Sequence, residues 1–200
     1  MNNQVNEIIK SSETEIGLVF HDKIKRKLKL YFEYLLDWNK KINLISRKSE
    51  SSVLSTALIE SYALFEIIRD YSGDFLDVGS GGGLPGIIIS ILLPEAKIEL
   101  LDSIRKKAVF MESAISHLKL SNITAVNKRL EELPESKKYD LIFSRGVGNF
   151  ENLRNHYFRL IKNSGSIFIL TGEDNSKLFR KYEILQNPFL HGRIIVNLEK

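Results

Sequence analysis

The sequence predicts an α/β protein, in which a seven-stranded, mostly parallel sheet is preceded by an N-terminal helical extension. From residue 71 onward, short apolar runs alternate with amphipathic helical stretches, and this alternation favours a parallel sheet covered by helices. Before residue 70, apolar residues recur every three or four positions, which is typical of helices. We therefore expect a helical extension over residues 1–70 and a sheet-containing domain over residues 71–200.

The individual elements follow from the same periodicities. Two helices are predicted in the extension, at residues 20–39 and 52–69, and their apolar stripes are expected to pack in the core. Strands are predicted at residues 75–78, 97–101, 123–126, 141–143, 166–170, 182–185 and 193–198. Further helices are predicted at residues 85–93, 104–118 and 150–161, with a turn at 163–165. Because ligands of parallel sheets bind at the carboxyl ends of the strands, the loops after these ends are the candidate site.

Composition excludes several classes of protein. The chain has 200 residues, of which 43% are hydrophobic, so it can bury a core. It has no cysteine, which excludes disulfides and thiolate chemistry. No run approaches eighteen apolar residues, the N-terminus does not resemble a signal peptide, and the four histidines lack metal-ligand spacing. We expect a cytoplasmic protein without a membrane or metal partner.

The basic residues are concentrated near the N-terminus. The net charge is +4, and residues 22–48 hold nine basic against three acidic side chains. Such a run is typical of a solvated helix face, and it also suits contacts to RNA phosphates. The candidate phosphate contacts are this segment together with Arg105, Lys106 and Lys107. The rings of Tyr31, Tyr34 and Trp38 suit base stacking, although packing of Trp38 against the sheet is the simpler expectation.

A glycine-rich loop follows the first predicted strand. Gly79 and Gly81 fit the first two positions of a G-x-G-x-x-G nucleotide motif, but Leu84 occupies the third. A dinucleotide would bring a diphosphate to this loop, where Asp77 would repel it by roughly 3 kcal/mol at about 5 Å. A cationic nucleoside such as S-adenosylmethionine reverses that sign. A dinucleotide-dependent oxidoreductase and a purely structural turn are the alternatives.

A second carboxylate lies at the end of the next predicted strand. Asp102 follows Gly79 by 23 residues, the position at which an acid accepts hydrogen bonds from both ribose hydroxyls. This spacing predicts an adenosine ligand, and it does not by itself distinguish a methyltransferase from a dehydrogenase.

Several motifs together resemble one protein family. DVGSGGGLPG at residues 77–86, LLDS at 100–103, SR at 144–145 and WNKKINLIS at 38–46 resemble the bacterial 16S ribosomal RNA guanine-N7 methyltransferases. The resemblance implies a Rossmann-like methyltransferase sheet, S-adenosylmethionine as cofactor and the small ribosomal subunit as partner. It also implies a monomer.

The resemblance also implies roles for particular residues. Gly79 and Leu84 match loop positions that line the cofactor, as does Arg145, while Asp102 matches the ribose-facing acid. Leu130 and Glu131 match the pair beside the adenine. With Asp77 and Gly81 of the glycine loop, these residues complete the predicted cofactor site. Arg145 is also the predicted catalytic residue, and a purely structural salt bridge is its alternative role.

The chain departs from the family pattern at three places. Ala57 and Glu60 stand in ALIES where many relatives have the histidine and aspartate of H-x-x-D-S, Thr171 stands where a lysine is common, and Arg193 matches the usual last arginine only loosely. These departures affect the expected RNA contacts, so a non-catalytic RNA-binding relative is a further alternative. Since guanine N7 carries a lone pair and no proton, its methylation needs no general base, and catalysis by placement is expected.

Overall fold

A computed structural model describes residues 2–146, 150–185 and 187–198 of the chain. It contains six α-helices in these ranges, namely α1 (Asn2–Ile16), α2 (Asp22–Asn39), α3 (Glu50–Ile68), α4 (Gly86–Leu92), α5 (Arg105–Leu118) and α6 (Phe150–Leu160). The seven strands are β1 (Asp74–Val78), β2 (Lys97–Leu101), β3 (Ile123–Val126), β4 (Tyr139–Arg145), β5 (Ile161–Gly172), β6 (Glu183–Leu185) and β7 (Arg193–Asn197). The predicted α/β class is confirmed.

The strands form one sheet in the order β3-β2-β1-β4-β5-β7-β6. Strands β1 to β5 are parallel, and β7 pairs antiparallel with both β5 and β6. The chain starts at β1 and moves outward to β3, and then β4 starts the other half on the opposite side of β1. This reversal creates a crevice at the carboxyl ends of β1 and β4, where sheets of this kind bind ligands.

Helices cover both faces of the sheet and enclose two apolar clusters. The larger cluster joins side chains of α1 to α5 to one face, and the smaller one packs α6 against the other face. Val5 of α1 and Ile195 of β7 belong to the same cluster. The N-terminal helices therefore share the core of the sheet.

Helix α3 is the one described helix that is long and apolar enough to span a membrane. Half of its most apolar window is buried within the protein. Its apolar composition is therefore explained by packing against α1 and α4.

Two elements differ from the prediction. Helix α1 was not expected, although Val5, Ile8, Ile9 and Ile16 form an apolar face that the structure buries. The turn predicted at residues 163–165 lies within β5, because Ile161 pairs with Tyr139 and Ser166 already pairs with Leu141. Four residues of β5 thus stand opposite one of β4. The turn-forming residues 163–165 therefore belong to this irregular part of the strand.

Candidate functional site

The glycine loop connects β1 to α4 at the crevice. Gly79 and Gly81 have φ angles of +73° and +57°, a region that side chains disfavour. The amide of Gly79 donates a hydrogen bond of 2.8 Å to the carbonyl oxygen of Leu101, which holds the loop against the end of β2. A Cβ added at Gly79 would meet no atom within 4 Å, so this backbone faces open space. The loop thus offers bare backbone to a ligand.

Close packing explains the glycine at position 86. A Cβ at Gly86 would lie 2.2 Å from Cδ2 of Leu100 and 2.6 Å from Oδ2 of Asp77. At Gly82, by contrast, the nearest atom would be Cδ1 of Leu35 at 3.4 Å, which is an ordinary contact. The loop therefore needs glycine at position 86 far more than at position 82.

Asp102 lies at the end of β2 and fixes the geometry of the cleft. Its Oδ2 accepts a hydrogen bond of 3.0 Å from the amide of Gly81, and its Oδ1 accepts one of 2.8 Å from the amide of Ile104. The Nζ atom of Lys107 lies 4.0 Å from Oδ2. Since each carboxylate oxygen can accept a second hydrogen bond, Asp102 retains the capacity to bind ribose hydroxyls.

These groups line a cleft of about 350 Å³ at the carboxyl ends of β1, β2 and β3. Four predicted site residues lie in its wall: Gly79, Asp102, Leu130 and Glu131. The sequence analysis did not single out Ser103, Ile104, Lys128, Arg129 or Leu153, which also line it. They follow strands or face the cleft from α6, and only the folded chain brings them to one place.

Asp77 occupies a different position from the one predicted. It is fully buried beneath the glycine loop, and its Oδ2 accepts a hydrogen bond of 2.9 Å from the amide of Gly86. Burial raises the pKa of Asp77 to about 7, an effect that the hydrogen bond from Gly86 only partly offsets. Asp77 is not among the lining residues of the cleft, so it acts on the loop rather than as a full charge facing a ligand. The electrostatic argument against a dinucleotide loses most of its force.

Leu84 is likewise placed away from the cleft wall. It is 5% exposed and belongs to the larger apolar cluster. Beside it, the hydroxyl group of Tyr31 donates a hydrogen bond of 2.6 Å to the carbonyl oxygen of Gly82. Tyr31 belongs to the apolar stripe of the helix predicted at residues 20–39 and is fully buried, so it supports the glycine loop and is not exposed for base stacking.

Arg145 ends β4 on the other half of the crevice and is bound to Glu60. The Nε atom of Arg145 donates to Oε2 of Glu60, and Nε of Arg193 donates to Oε1 of the same carboxylate. Glu60 is 1% exposed, whereas the side chains of the two arginines are 22% and 28% exposed. The structure thus joins Arg145 to Glu60 and Arg193, which are far from it in the sequence.

The segment WNKKINLIS has a structural role around Asn39. Asn39 is fully buried, and its Oδ1 accepts hydrogen bonds from the amides of Leu44 and Ile45 at 2.8 and 3.0 Å. The ring of Trp38 packs edge-on against Phe110 of α5 at 5.6 Å. Trp38 therefore anchors α2 to α5, and it packs against the apolar cluster that α5 shares with the sheet.

A further cavity lies outside the crevice, between α1 and α2. It has a volume of about 780 Å³, and its basic lining residues are Lys10, Lys25, Arg26 and Lys29. Glu13 is its one lining acid, and its Oε1 lies 3.0 Å from Nζ of Lys25. No three histidine, aspartate or glutamate side chains lie close enough to hold a metal ion in the part of the chain that the structure describes.

The family model of the rRNA small subunit methyltransferase G matches residues 24–187. The chain is 31% identical to the ribosomal RNA small subunit methyltransferase G of Fusobacterium nucleatum, over 90% of this chain and 84% of the relative. It is 33% identical to the protein of the same name from Colwellia psychrerythraea, over 85% of this chain and 86% of the relative.

Solved structures support the fold. The ribosomal protein L11 methylase of Lactobacillus delbrueckii has a TM-score of 0.60 at 14% identity, covering 75% of this chain and 79% of its own. Precorrin-6y C5,15-methyltransferase of Geobacter metallireducens has a TM-score of 0.52 at 18% identity, covering 78% of this chain and 89% of its own. The Rossmann-like fold is therefore shown, and the family match decides between methyltransferase and oxidoreductase. With its glycine loop, Asp102 and cleft at the switch in strand order, the chain belongs to the rRNA small subunit methyltransferase G family of S-adenosylmethionine-dependent enzymes.

Proposed function

We propose that this protein transfers a methyl group from S-adenosylmethionine to N7 of a guanine in 16S ribosomal RNA. The observation that carries the proposal is the cleft beside the glycine loop, in a chain whose family methylates small-subunit rRNA. The bare backbone at Gly79 and the free acceptor capacity of Asp102 suit close approach of a nucleoside and hydrogen bonds from its ribose.

We assign the cofactor contacts to the cleft residues. The carboxylate of Asp102 accepts hydrogen bonds from the ribose, and the backbone of Gly79 and Gly81 lies against the ligand. Leu130 and Glu131 hold the adenine, Leu130 by apolar contact and its amide, and Glu131 by its polar side chain. Asp77 and Leu84 act from beneath, because they fix the course of the loop.

The reaction itself needs placement more than proton transfer. When bound, S-adenosylmethionine supplies an electrophilic methyl group on its sulfonium. Guanine N7 attacks with its lone pair, and no proton leaves the base, so a general base is not required. The protein must hold N7 about 3 to 3.5 Å from the methyl carbon and exclude water. We assign Arg145, at the end of β4 beside the crevice, to shaping the acceptor side of this site.

The substrate RNA extends beyond the crevice, and we assign part of its binding to basic residues of α1 and α2. One cavity is lined by four basic residues, namely Lys10, Lys25, Arg26 and Lys29, and by a single acid. Its lining therefore carries an excess of three positive charges. Lys25 is paired with Glu13, so Lys10, Arg26 and Lys29 are the candidates for phosphate contacts. Such contacts add affinity without sequence specificity and weaken with salt.

The decisive experiment is transfer of tritiated methyl groups to small ribosomal subunits from cells that lack this enzyme, followed by mapping of the product. We expect label in 16S rRNA at N7 of one guanine. Label at another atom would contradict the proposal, and so would the absence of label when the subunits themselves are active. Calorimetry with S-adenosylmethionine and NAD in parallel tests the cofactor separately. We further expect a monomer that acts in the cytoplasm, which sedimentation and cell fractionation test.

A further inference from the structure

The crevice has two halves, and the cleft occupies only one. The cleft lies over β1, β2 and β3. Across the switch in strand order, β4 ends at Arg145, and β7 begins at Arg193 at the same edge because it runs antiparallel to β5. A methyl acceptor beside the cleft must therefore approach over this second half.

The two arginines flank β5 near its carboxyl end. Arg145 pairs with Leu170 of β5, and Arg193 pairs with Gly172 on its other side. Their backbones are thus two strand spacings apart across the sheet and two residues apart along it, about 12 Å in all. Phe143 and Ile195, two residues from each arginine, lie in the cluster that packs α3 against the sheet. Both arginines consequently point to the face covered by α3.

Glu60 of α3 brings the two guanidinium groups together. Its two carboxylate oxygens each accept one Nε–H, from residues 85 and 133 positions away in the chain. Within the described ranges, Glu60 is the sole hydrogen-bond partner of either guanidinium group. Among the described residues, the terminal Nη atoms of both arginines thus have no hydrogen-bond partner, and one Nη atom of Arg193 lies 3.8 Å from the position that a Cβ on Gly172 would take.

The charges of the cluster do not cancel. Two arginines and one glutamate leave an excess of one positive charge, and both arginines are partly exposed. A guanidinium fixed through its Nε retains donors suited to bidentate binding of a phosphate. A purely structural ion pair would need only one arginine for this carboxylate.

We propose that Glu60, Arg145 and Arg193 form a binding site for a backbone phosphate of the target RNA strand beside the methylated base. Glu60 is a positioning residue in this site, because it orients both arginines and touches no substrate. The inference rests on the proposed function and adds to it a contact for the acceptor nucleotide.

The test measures binding of small ribosomal subunits, with S-adenosylhomocysteine present, as a function of salt. Arg193→Gln leaves Arg145 paired with Glu60, so the fold is retained. We expect it to reduce the slope of log affinity against log salt by about one. We also expect the KM for subunits to rise about tenfold, with the Kd for S-adenosylmethionine unchanged. The matched control is Arg154→Gln on α6, whose guanidinium contacts Tyr182 and Phe158; it should change neither quantity.

Glu60 is tested by two substitutions. Glu60→Gln removes the charge that orients both arginines and should raise the KM for subunits about fivefold, while Glu60→Asp should restore part of the loss. If Glu60→Gln does not fold, Arg193→Gln alone decides. An unchanged salt slope in Arg193→Gln, in an enzyme that still methylates RNA, would refute the phosphate site and leave the proposed function intact. A wild-type protein that neither binds nor methylates subunits would refute both.

Discussion

The two halves of the crevice present different chemical groups. Over β1, β2 and β3, the site consists of glycine backbone and one carboxylate whose oxygens are already held by the amides of Gly81 and Ile104. Over β4, β5 and β7, it consists of arginine side chains held by Glu60. The first half suits a nucleoside and the second suits a phosphate. One sheet edge can thus provide separate sites for cofactor and RNA, because its two halves present different groups.

The largest expected effect tests the arginine half. Arg145→Ala should reduce methyl transfer at least about 1,000-fold, because it removes the side chain that we assign to the acceptor side of the site. Binding of S-adenosylmethionine should persist, since the cleft lies on the other half of the crevice. Filter-binding assays of tritium transfer measure the rate, and calorimetry measures the cofactor.

Arg154→Ala on α6 is the control for loss of an arginine. Wild-type rates in Arg145→Ala would show that its ion pair with Glu60 is only structural. A parallel loss of cofactor binding would show that the two halves do not act separately.

The next effect tests the cofactor half. Gly86→Ala places a methyl group within 2.6 Å of both Leu100 and Asp77, which overpacks the base of the loop. We expect a loss of about 3 kcal/mol in the free energy of unfolding and at least a tenfold weaker Kd for the cofactor. Gly82→Ala, in the same loop, meets only an ordinary contact at 3.4 Å and should bind normally. Equal effects of both substitutions would contradict the packing argument.

A smaller effect concerns the pH dependence of stability. The pKa of Asp77 is raised from 3.8 to about 7 in the folded protein, mainly by burial. The folded state therefore binds more protons than the unfolded state between these values, so this group lowers the free energy of unfolding as pH rises from about 4 to about 7. Asp77→Asn removes this dependence. Its free energy of unfolding, compared with that of wild type at the same pH, should therefore increase by about 2 kcal/mol from pH 5 to pH 8.

Asp140→Asn provides a control of opposite sign. The hydrogen bond from Lys162 lowers the pKa of Asp140, so its stabilisation is lost only as pH falls below about 4. Its difference from wild type should therefore stay constant between pH 5 and pH 8. Urea unfolding at several pH values measures the free energy of unfolding of both variants and of wild type. A difference between Asp77→Asn and wild type that stays constant with pH would contradict the raised pKa of Asp77.

The smallest expected effect concerns the basic cavity. Reversing two charges with Lys10→Glu and Lys29→Glu should raise the KM for subunits about threefold at low salt, with less effect at high salt. Lys97→Glu with Lys138→Glu, on exposed residues at the amino ends of the strands, is the matched control. The same KM change in both double variants would show that only net charge matters.

Much of this protein follows from local sequence. The alternation of apolar runs predicted the sheet, because a buried strand and an amphipathic helix leave different periodicities. The glycine loop and Asp102 were recognised from spacing, since both lie at strand ends that a parallel sheet must bring to one edge. Even α1, which was missed, carries its signal in the spacing of Val5, Ile8 and Ile16.

Tertiary structure alone decided the environment and the partners of the charged side chains. The sequence placed Asp77 beside a ligand, but β1 directs its side chain beneath the loop, where burial raises its pKa. Likewise, Glu60, Arg145 and Arg193 are far apart in the chain, and no local pattern links them. The physical reason is that periodicity and turn preference depend on neighbours in sequence. The protonation state and partner of a charged group depend on the solvent and on the residues that folding brings to it.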